Sequence, residues 1–250
     1  MKQELVVEHV SKTFYSSKGY FTAVEDVSFT LKDGEFLVIL GPGRCGKTVL
    51  LNMIAGIETK SGGSIVYGGK EKTVPSQEFG MVFQSLALMP FKTVMENVEL
   101  PLKLRGVKKE ERRKTAQHYI DLVGLQGFEK SYPHELSGGM KQRVGIARAY
   151  TANPKVLIMD EPFGQLDAQT RYSMQNEILR IWEAERRTVI FVTNNIEEAC
   201  YLGDRIVLLS DCPATVKEIY PINLPRPRDM VSQEFMEIRT RISDNTDLAI

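Results

Sequence analysis

One stretch of this sequence has the composition of an anion cradle. Gly41-Pro42-Gly43-Arg44-Cys45-Gly46-Lys47-Thr48 fits the pattern G-x-x-x-x-G-K-[ST]. It follows the apolar run Phe36-Leu37-Val38-Ile39-Leu40 and precedes a segment, 47–55, in which Leu50, Leu51 and Ile54 have helical spacing. Strand, glycine loop and helix is the context that gives the pattern meaning. The glycines let successive backbone N–H groups converge on phosphate oxygens, and the helix N-terminus adds partial positive charge. In that geometry Lys47 reaches β- and γ-phosphates and the Thr48 hydroxyl ligates Mg²⁺. A carboxylate pair, Asp160-Glu161, ends a second apolar run, Val156-Leu157-Ile158-Met159. Ligands of parallel sheets gather beyond the C-terminal strand ends. Asp160 is therefore placed to hold Mg²⁺, directly or through water, and Glu161 to orient and polarise an attacking water.

The elements that must position these groups follow from periodicity. Val6, Val10, Val24, Val27, Phe29 and Leu31 are separated mostly by polar residues, the pattern of half-buried antiparallel strands, with Ser16-Ser17-Lys18-Gly19 as a hairpin tip. Further strands are expected at 64–67 and 80–83, then mostly helix over 94–123, broken near Pro101 and Gly106. The KKEERRK run reads as a solvated helix face. Beyond Ser137 the pattern becomes regular. It gives a helix to Ala152, a strand at 156–159, and a helix from Asp167 with Met174, Ile178, Ile181 and Trp182 on one stripe. A strand at 188–192, a short helix through Ala199 and a strand at 206–209 follow. Continuous apolar strands between helices indicate an α/β fold whose parallel sheet is covered on both faces. Pro221, Pro225 and Pro227 keep the tail out of a central strand, and a short polar helix is expected after them.

Composition narrows the function. The 250 residues carry 32 Lys+Arg against 32 Asp+Glu, a net charge of zero, and 42% are apolar. This is the profile of a soluble globular chain without the bulk positive field that nucleic acid or an acidic membrane surface requires. The longest apolar runs are strand-sized, well short of the ~18 residues that span a bilayer, so a membrane would be reached through a partner. The opening MKQELVVEHV has acids where a signal peptide needs an apolar core. Cys45, Cys200 and Cys212 have neither paired nor metal-ligand spacing, and a reducing cytoplasm is expected.

Leu136-Ser137-Gly138-Gly139-Met140-Lys141-Gln142 opens a helix shortly before the Asp160-Glu161 strand, and here the sequence resembles the ATPase subunits of ABC transporters over nearly its whole length. Ser137 can cap that helix, and the glycines let backbone approach an anion. The resemblance implies a P-loop NTPase (RecA-like) core with a parallel sheet and an N-terminal antiparallel β subdomain, about 1–85 and 155–220. It further implies a helical subdomain, about 86–154, that carries LSGG, and a tail, 221–250. It implies ATP and Mg²⁺, and a homodimer or paired cassette in which Ser137, Gly138 and Gly139 close over the γ-phosphate held by the opposite subunit's cradle. Val49 and Gln142 fall among the implied nucleotide-binding positions. Gln84, after Gly80-Met81-Val82-Phe83, resembles the glutamine that touches Mg²⁺ or water and moves with the membrane partner. Phe14 resembles the aromatic that stacks on adenine, with Tyr15 a near alternative and core packing the other reading of Phe14. Asp167, in Gly164-Gln165-Leu166-Asp167, resembles the aspartate that contacts the other subunit and helps shape the hydrolytic site.

Within the family, Asp160-Glu161-Pro162-Phe163-Gly164-Gln165-Leu166-Asp167-Ala168-Gln169-Thr170-Arg171 and Leu224-Pro225-Arg226-Pro227-Arg228 resemble the nitrate/sulfonate/taurine importers, which commonly lack an appended regulatory barrel. The chain stops soon after the second motif. Implied partners are integral membrane permease subunits and, indirectly, an extracytoplasmic substrate-binding protein, with the chain peripheral on the cytoplasmic face and no nucleic acid bound. The permease would dock near Gln84 and residues 85–99, where Leu86, Leu88, Met89 and Phe91 supply either groove or core. Three departures stand out. Thr193-Asn194-Asn195 replaces the family's usual histidine; Asn194 can donate a hydrogen bond but cannot shuttle a proton, which predicts ATP binding with slowed hydrolysis. Arg44 replaces a usual glycine, facing either phosphate or the opposing subunit, or else solvent. Gln165 replaces a usually small residue, and nothing in the sequence explains it. A nontransport ATPase of the same family and a hydrolysis-slow ATP-binding clamp are the competing readings; a small-molecule kinase has no use for LSGG.

Overall fold

The computed structural model describes residues 4–17 and 19–247. Lys18 of the expected hairpin tip, the first three residues of the opening segment and residues 248–250 of the tail lie outside the described residues. In chain order the first elements are β1 (Leu5–Ser16), β2 (Gly19–Leu31), β3 (Phe36–Leu40), α1 (Lys47–Ala55), β4 (Gly62–Tyr67), β5 (Lys70–Glu71) and β6 (Phe79–Val82). Then come α2 (Val94–Val98), α3 (Leu100–Leu104), α4 (Lys109–Leu122), α5 (Gly138–Thr151), β7 (Val156–Asp160) and α6 (Ala168–Glu185). The last are β8 (Thr188–Thr193), α7 (Ile196–Leu202), β9 (Arg205–Leu209), β10 (Val216–Pro221) and α8 (Gln233–Asn245). The chain divides into two units, Met1–Ser76 with Arg187–Ile250, and Gln77–Arg186.

In the first unit, β2, β1, β4 and β5 form an antiparallel sheet in that order. Its inward face differs from the expected one. Leu5 and Val7 are buried and Val6 only half so. The register then shifts between Val7 and Val10, where His9 takes φ 49°, and Val10 turns back into the core. A bulge inserts one extra residue and flips the side-chain alternation beyond it. The five residues of β3 are all buried, because β8 and β9 flank the strand in parallel, Phe36 opposite Val189 and Leu37 opposite Arg205. β10 pairs antiparallel with β9, a strand that periodicity did not reveal. Pro221 is its last residue, a place open to proline since no central ladder bond is lost. The tail helix α8 runs 13 residues, longer than expected, is capped by Ser232, and buries Phe235 and Ile242.

In the second unit, β6 and β7 are parallel, Gly80 opposite Leu157. β6 begins and ends one residue before the expected strand, leaving Phe83 outside it and exposed. The expected helical break near Pro101 falls at Glu99. Pro101 sits in the first turn of α3, where a missing N–H costs nothing, and Gly106, at φ 75°, ends that helix. The KKEERRK face is solvated except at Arg112, whose Nε lies 3.0 Å from the buried Glu99 carboxylate. On α6 the expected stripe of Met174, Ile178, Ile181 and Trp182 is buried.

Candidate functional site

The glycine loop leaves β3 at Leu40 and enters α1 through Gly46, the N-cap residue, at φ 114°. Glycine has no side chain to occupy the first-turn N–H groups, so α1 begins without a side-chain cap. Lys47 is 4% exposed, and its Nζ donates to the carbonyl oxygens of Gly41 at 3.0 Å and Pro42 at 2.5 Å. The ammonium therefore lies against the loop's own backbone. Arg44 is exposed and left-handed at φ 65°, a conformation that costs a non-glycine residue. Cys45 is buried, and burial pushes its thiol pKa up, with nearby Lys47 opposing the shift. Thr48 is exposed in the first turn of α1, and Val49 is half-buried beside it.

Asn194 and Asn195 follow β8 and take different tasks. Asn195 caps α7, its Oδ1 accepting from the Glu198 N–H at 2.9 Å, while its own N–H donates to Thr193 Oγ1 at 3.0 Å. Asn194 stays exposed and lines a cleft of about 610 Å³ with Pro42, Gly43, Glu197, Arg239 and Asp247. The fold thus brings Asn194 to the rim of the glycine loop. Helix α7 is held at both ends. Arg239 Nε lies 3.0 Å from Glu197 Oε1 in its first turn. Arg226 donates to Leu202 O at 2.5 Å, and Arg228 to Cys200 O and Tyr201 O at 2.7 and 3.0 Å, in its last turn. Burial lowers the Arg228 pKa to about 10. Guanidinium groups on the carbonyl end of a helix suit its dipole. The sequence carried Arg226 and Arg228 only as a family mark; their capping role depends on the chain folding back.

Phe14 lies on β1 opposite Phe21 and is 37% exposed, so it is not a core aromatic; Tyr15, opposite Tyr20, is more exposed still. Lys12, which the sequence did not single out, places its Nζ 4.8 Å from the centroid of the Phe14 ring.

In the second unit Asp160 is the buried last residue of β7. Glu161 follows it, half-buried and left-handed at φ 43°, its carbonyl accepting from the Gly164 N–H at 3.1 Å. Such strain in a carboxylate at a strand end is a feature of functional sites. Asp167 caps α6, accepting from the Thr170 N–H at 3.0 Å, and that hydrogen bond holds its pKa below the usual carboxylate range. Ser137 caps α5 as expected, accepting from the Met140 N–H at 3.3 Å. Gly138 and Gly139 form the first turn, and a Cβ on Gly139 would stand 2.9 Å from Thr170 Cγ2. Ser137 and Gly139 line a cleft of about 310 Å³ with Met140, Arg143 and Thr170. Gln142 is only 2% exposed, inside the helical packing rather than on that cleft. Gln84 is exposed after β6. The chain beyond it turns left-handed at Leu86 and Ala87, whose carbonyls both accept from Arg148 at 2.7 Å. Leu86 and Leu88 are half-buried, Met89 is partly exposed and Phe91 is 91% exposed. Among the described residues no helix is long and apolar enough to cross a membrane.

A family model described as ABC transporter matches residues 24–164. An uncharacterized ABC transporter ATP-binding protein of Methanocaldococcus jannaschii, MJ0412, is 47% identical over 242 residues, covering 97% of this chain and 91% of the relative. The aliphatic sulfonates import ATP-binding protein SsuB of Bacillus anthracis is 42% identical, covering 94% of this chain and 93% of the relative. Among solved structures, that of dimeric MJ0796, a bacterial ABC transporter cassette, is 31% identical with a TM-score of 0.77, over 88% of this chain and 100% of the other. The fold is accordingly the P-loop NTPase fold, with an N-terminal antiparallel subdomain, a mixed core sheet and a helical subdomain. With over half its length matched by the family model and nearly all of it by relatives, the chain belongs to the ABC transporter family as an ATP-binding cassette with ABC-type ATPase activity.

Proposed function

We propose that the chain powers an importer of a small sulfonate-, taurine- or nitrate-like solute, as one of two paired cassettes lying peripherally on the cytoplasmic face of the membrane against permease subunits. The observation that carries the reaction is the cradle: α1 begins at Gly46 with no side-chain cap, and Lys47 is buried in its first turn. The donor set suits the ligand. Backbone N–H groups and Lys47 match triphosphate oxygens, and the oxygens of Thr48 and Asp160, with Gln84, match a hard cation such as Mg²⁺, which when bound neutralises phosphate charge.

In this reading Phe14 stacks on the adenine, and the loop 41–46 with Lys47, Thr48 and Val49 holds the phosphates. Glu161 accepts the proton of the attacking water as its oxygen bonds to the γ-phosphorus. The bond from that phosphorus to the β–γ bridging oxygen breaks, releasing ADP and phosphate. Asn194, beside Pro42 and Gly43, donates a hydrogen bond to the γ-phosphate or the water. The helical subdomain, 86–154, presents Ser137, Gly138 and Gly139 to the other subunit's nucleotide, with Asp167 near the same junction. Triphosphate bridges both subunits only when they close, so hydrolysis reopens them. The importer class is supported by the SsuB relatives of Bacillus and by the Leu224-to-Arg228 motif.

The test is assembly and uptake. Glu161→Gln should form an ATP-dependent dimer on size exclusion, and the chain with its permease in vesicles should accumulate a labelled sulfonate only with ATP. A monomer at saturating Mg-ATP would exclude the paired mechanism. ATPase activity in the complex that no sulfonate, taurine or nitrate supply stimulates would exclude the solute class. A slow clamp is the second reading, favoured by Asn194; a single-turnover rate equal to that of Asn194→His would remove it.

A further inference from the structure

We infer that Lys12 is a positioning residue for the nucleotide base: it fixes the Phe14 ring from one face and ties that ring to the end of the phosphate-binding helix. The inference rests on the reading of Phe14 as the stacking residue and deepens it.

Lys12 is 7% exposed, deeply buried for a lysine on a strand that ends in an exposed aromatic hairpin. Its ammonium has three N–H donors and three oxygens within reach: Glu58 Oε1 at 2.7 Å, Thr59 O at 2.6 Å and Thr59 Oγ1 at 3.2 Å. A buried ammonium with that many partners has little freedom to move. It also lies 4.8 Å from the Phe14 ring centroid, within the range in which a cation is attracted by an aromatic face.

Two consequences follow for a ring that is 37% exposed. Phe14 stands two residues after Lys12, on the same side of β1, and the cation restrains a ring whose other contacts leave it partly open to solvent. The positive charge also draws π density toward its own face. The opposite face is then better suited to stack on an electron-rich purine. The tie reaches the C-terminal part of α1 through few atoms. Glu58 and Thr59 follow α1, and the Ile57 and Glu58 N–H groups both donate to Asn52 O in that helix, at 2.8 and 3.1 Å. The Lys12 hydrogen bond holds the Glu58 carboxyl below its usual pKa.

The experiment compares ATP with inorganic tripolyphosphate, a base-free probe of the cradle, by calorimetry with Mg²⁺ on the full chain. The ratio of the two affinities is internal to each variant, so partial unfolding cancels. Phe14→Ala should weaken ATP at least about fivefold and leave tripolyphosphate unchanged, the scale of one lost base stack. Lys12→Met should weaken ATP about two- to fivefold, again sparing tripolyphosphate. Lys12→Arg should restore the wild-type ratio, since a guanidinium also sits on aromatic faces. If Phe14→Ala lowers the ratio and Lys12→Met does not, the inference falls while the stacking reading stands. If Phe14→Ala leaves the ratio unchanged, the stacking reading falls and takes the inference with it. Equal loss of both ligands in Lys12→Met would make Lys12 a brace for α1 alone and overturn the role toward the base.

Discussion

A Cβ placed on Gly46 would stand 2.4 Å from the carbonyl oxygen of Ala23, and Gly46 also holds φ 114°, outside the range of L side chains. Backbone on backbone leaves nothing flexible to give way, so the loop after β3 is set by its approach to β2. Gly46→Ala should destabilise the chain by about 1–3 kcal/mol and weaken ATP at least about tenfold, because the first turn of α1 must move. Thermal melts with and without Mg-ATP measure both; an unchanged nucleotide-induced shift would show that the turn is not part of the cradle.

Glu161 follows β7 with a left-handed φ of 43°, and in the proposed reaction it is the group that acts on water. Glu161→Gln keeps size and hydrogen-bonding capacity but cannot accept a proton. ATP affinity should stay within about twofold while steady-state phosphate release falls about 100-fold or more. Phosphate release near the wild-type rate would move the base elsewhere.

The two asparagines after β8 should separate cleanly. Asn194→His should raise turnover in the assembled transporter about tenfold or more, by supplying a titratable group at the loop rim. Asn195→Ala should cost about 1 kcal/mol of stability, the worth of an N-cap. Turnover unchanged, within error, in Asn194→His would show that a hydrogen-bond donor alone suffices there.

Arg44 holds a left-handed conformation that costs roughly 1–2 kcal/mol for a residue with a Cβ. Arg44→Gly relieves that strain but gains unfolded-state entropy worth about 0.4–1 kcal/mol, so stability should change by no more than about 1 kcal/mol. If the guanidinium faces phosphate or the opposing subunit, ATP affinity or ATP-dependent dimerisation drops at least about threefold. Unchanged values would assign the side chain to solvent.

Asp167 is bound more tightly as a carboxylate in the folded chain, where the Thr170 N–H lowers its pKa below the ordinary value of 3.8. Its contribution is complete above that value and disappears as pH falls through the lower folded one. Asp167→Asn retains the cap without the charge. The wild-type melting temperature should exceed the variant's at pH 6, and the gap should narrow as pH falls below 3.8. A constant gap would deny the carboxylate any role in that cap.

Much of the site was legible because its determinants are local. Gly46, Ser137 and Asp167 each start a helix by the geometry of one residue and its next turn, and the spacing of Leu50, Leu51 and Ile54 marks the buried face of α1. β10 was not legible for the opposite reason: it exists only because β9 offers it an edge, and no periodicity of its own announces it.

By itself the sequence determined the cradle, the carboxylate pair and the LSGG turn, since neighbouring residues suffice to set a cap, a glycine turn or an apolar strand. Only the tertiary structure decided that a bulge at His9 turns Val10 rather than Val6 inward, that Asn195 caps α7 while Asn194 stays exposed on the cleft beside the loop, and that Lys12 meets Glu58 and Thr59. Those outcomes depend on strand register and on partners more than 40 residues apart, which the pattern of any single segment does not contain.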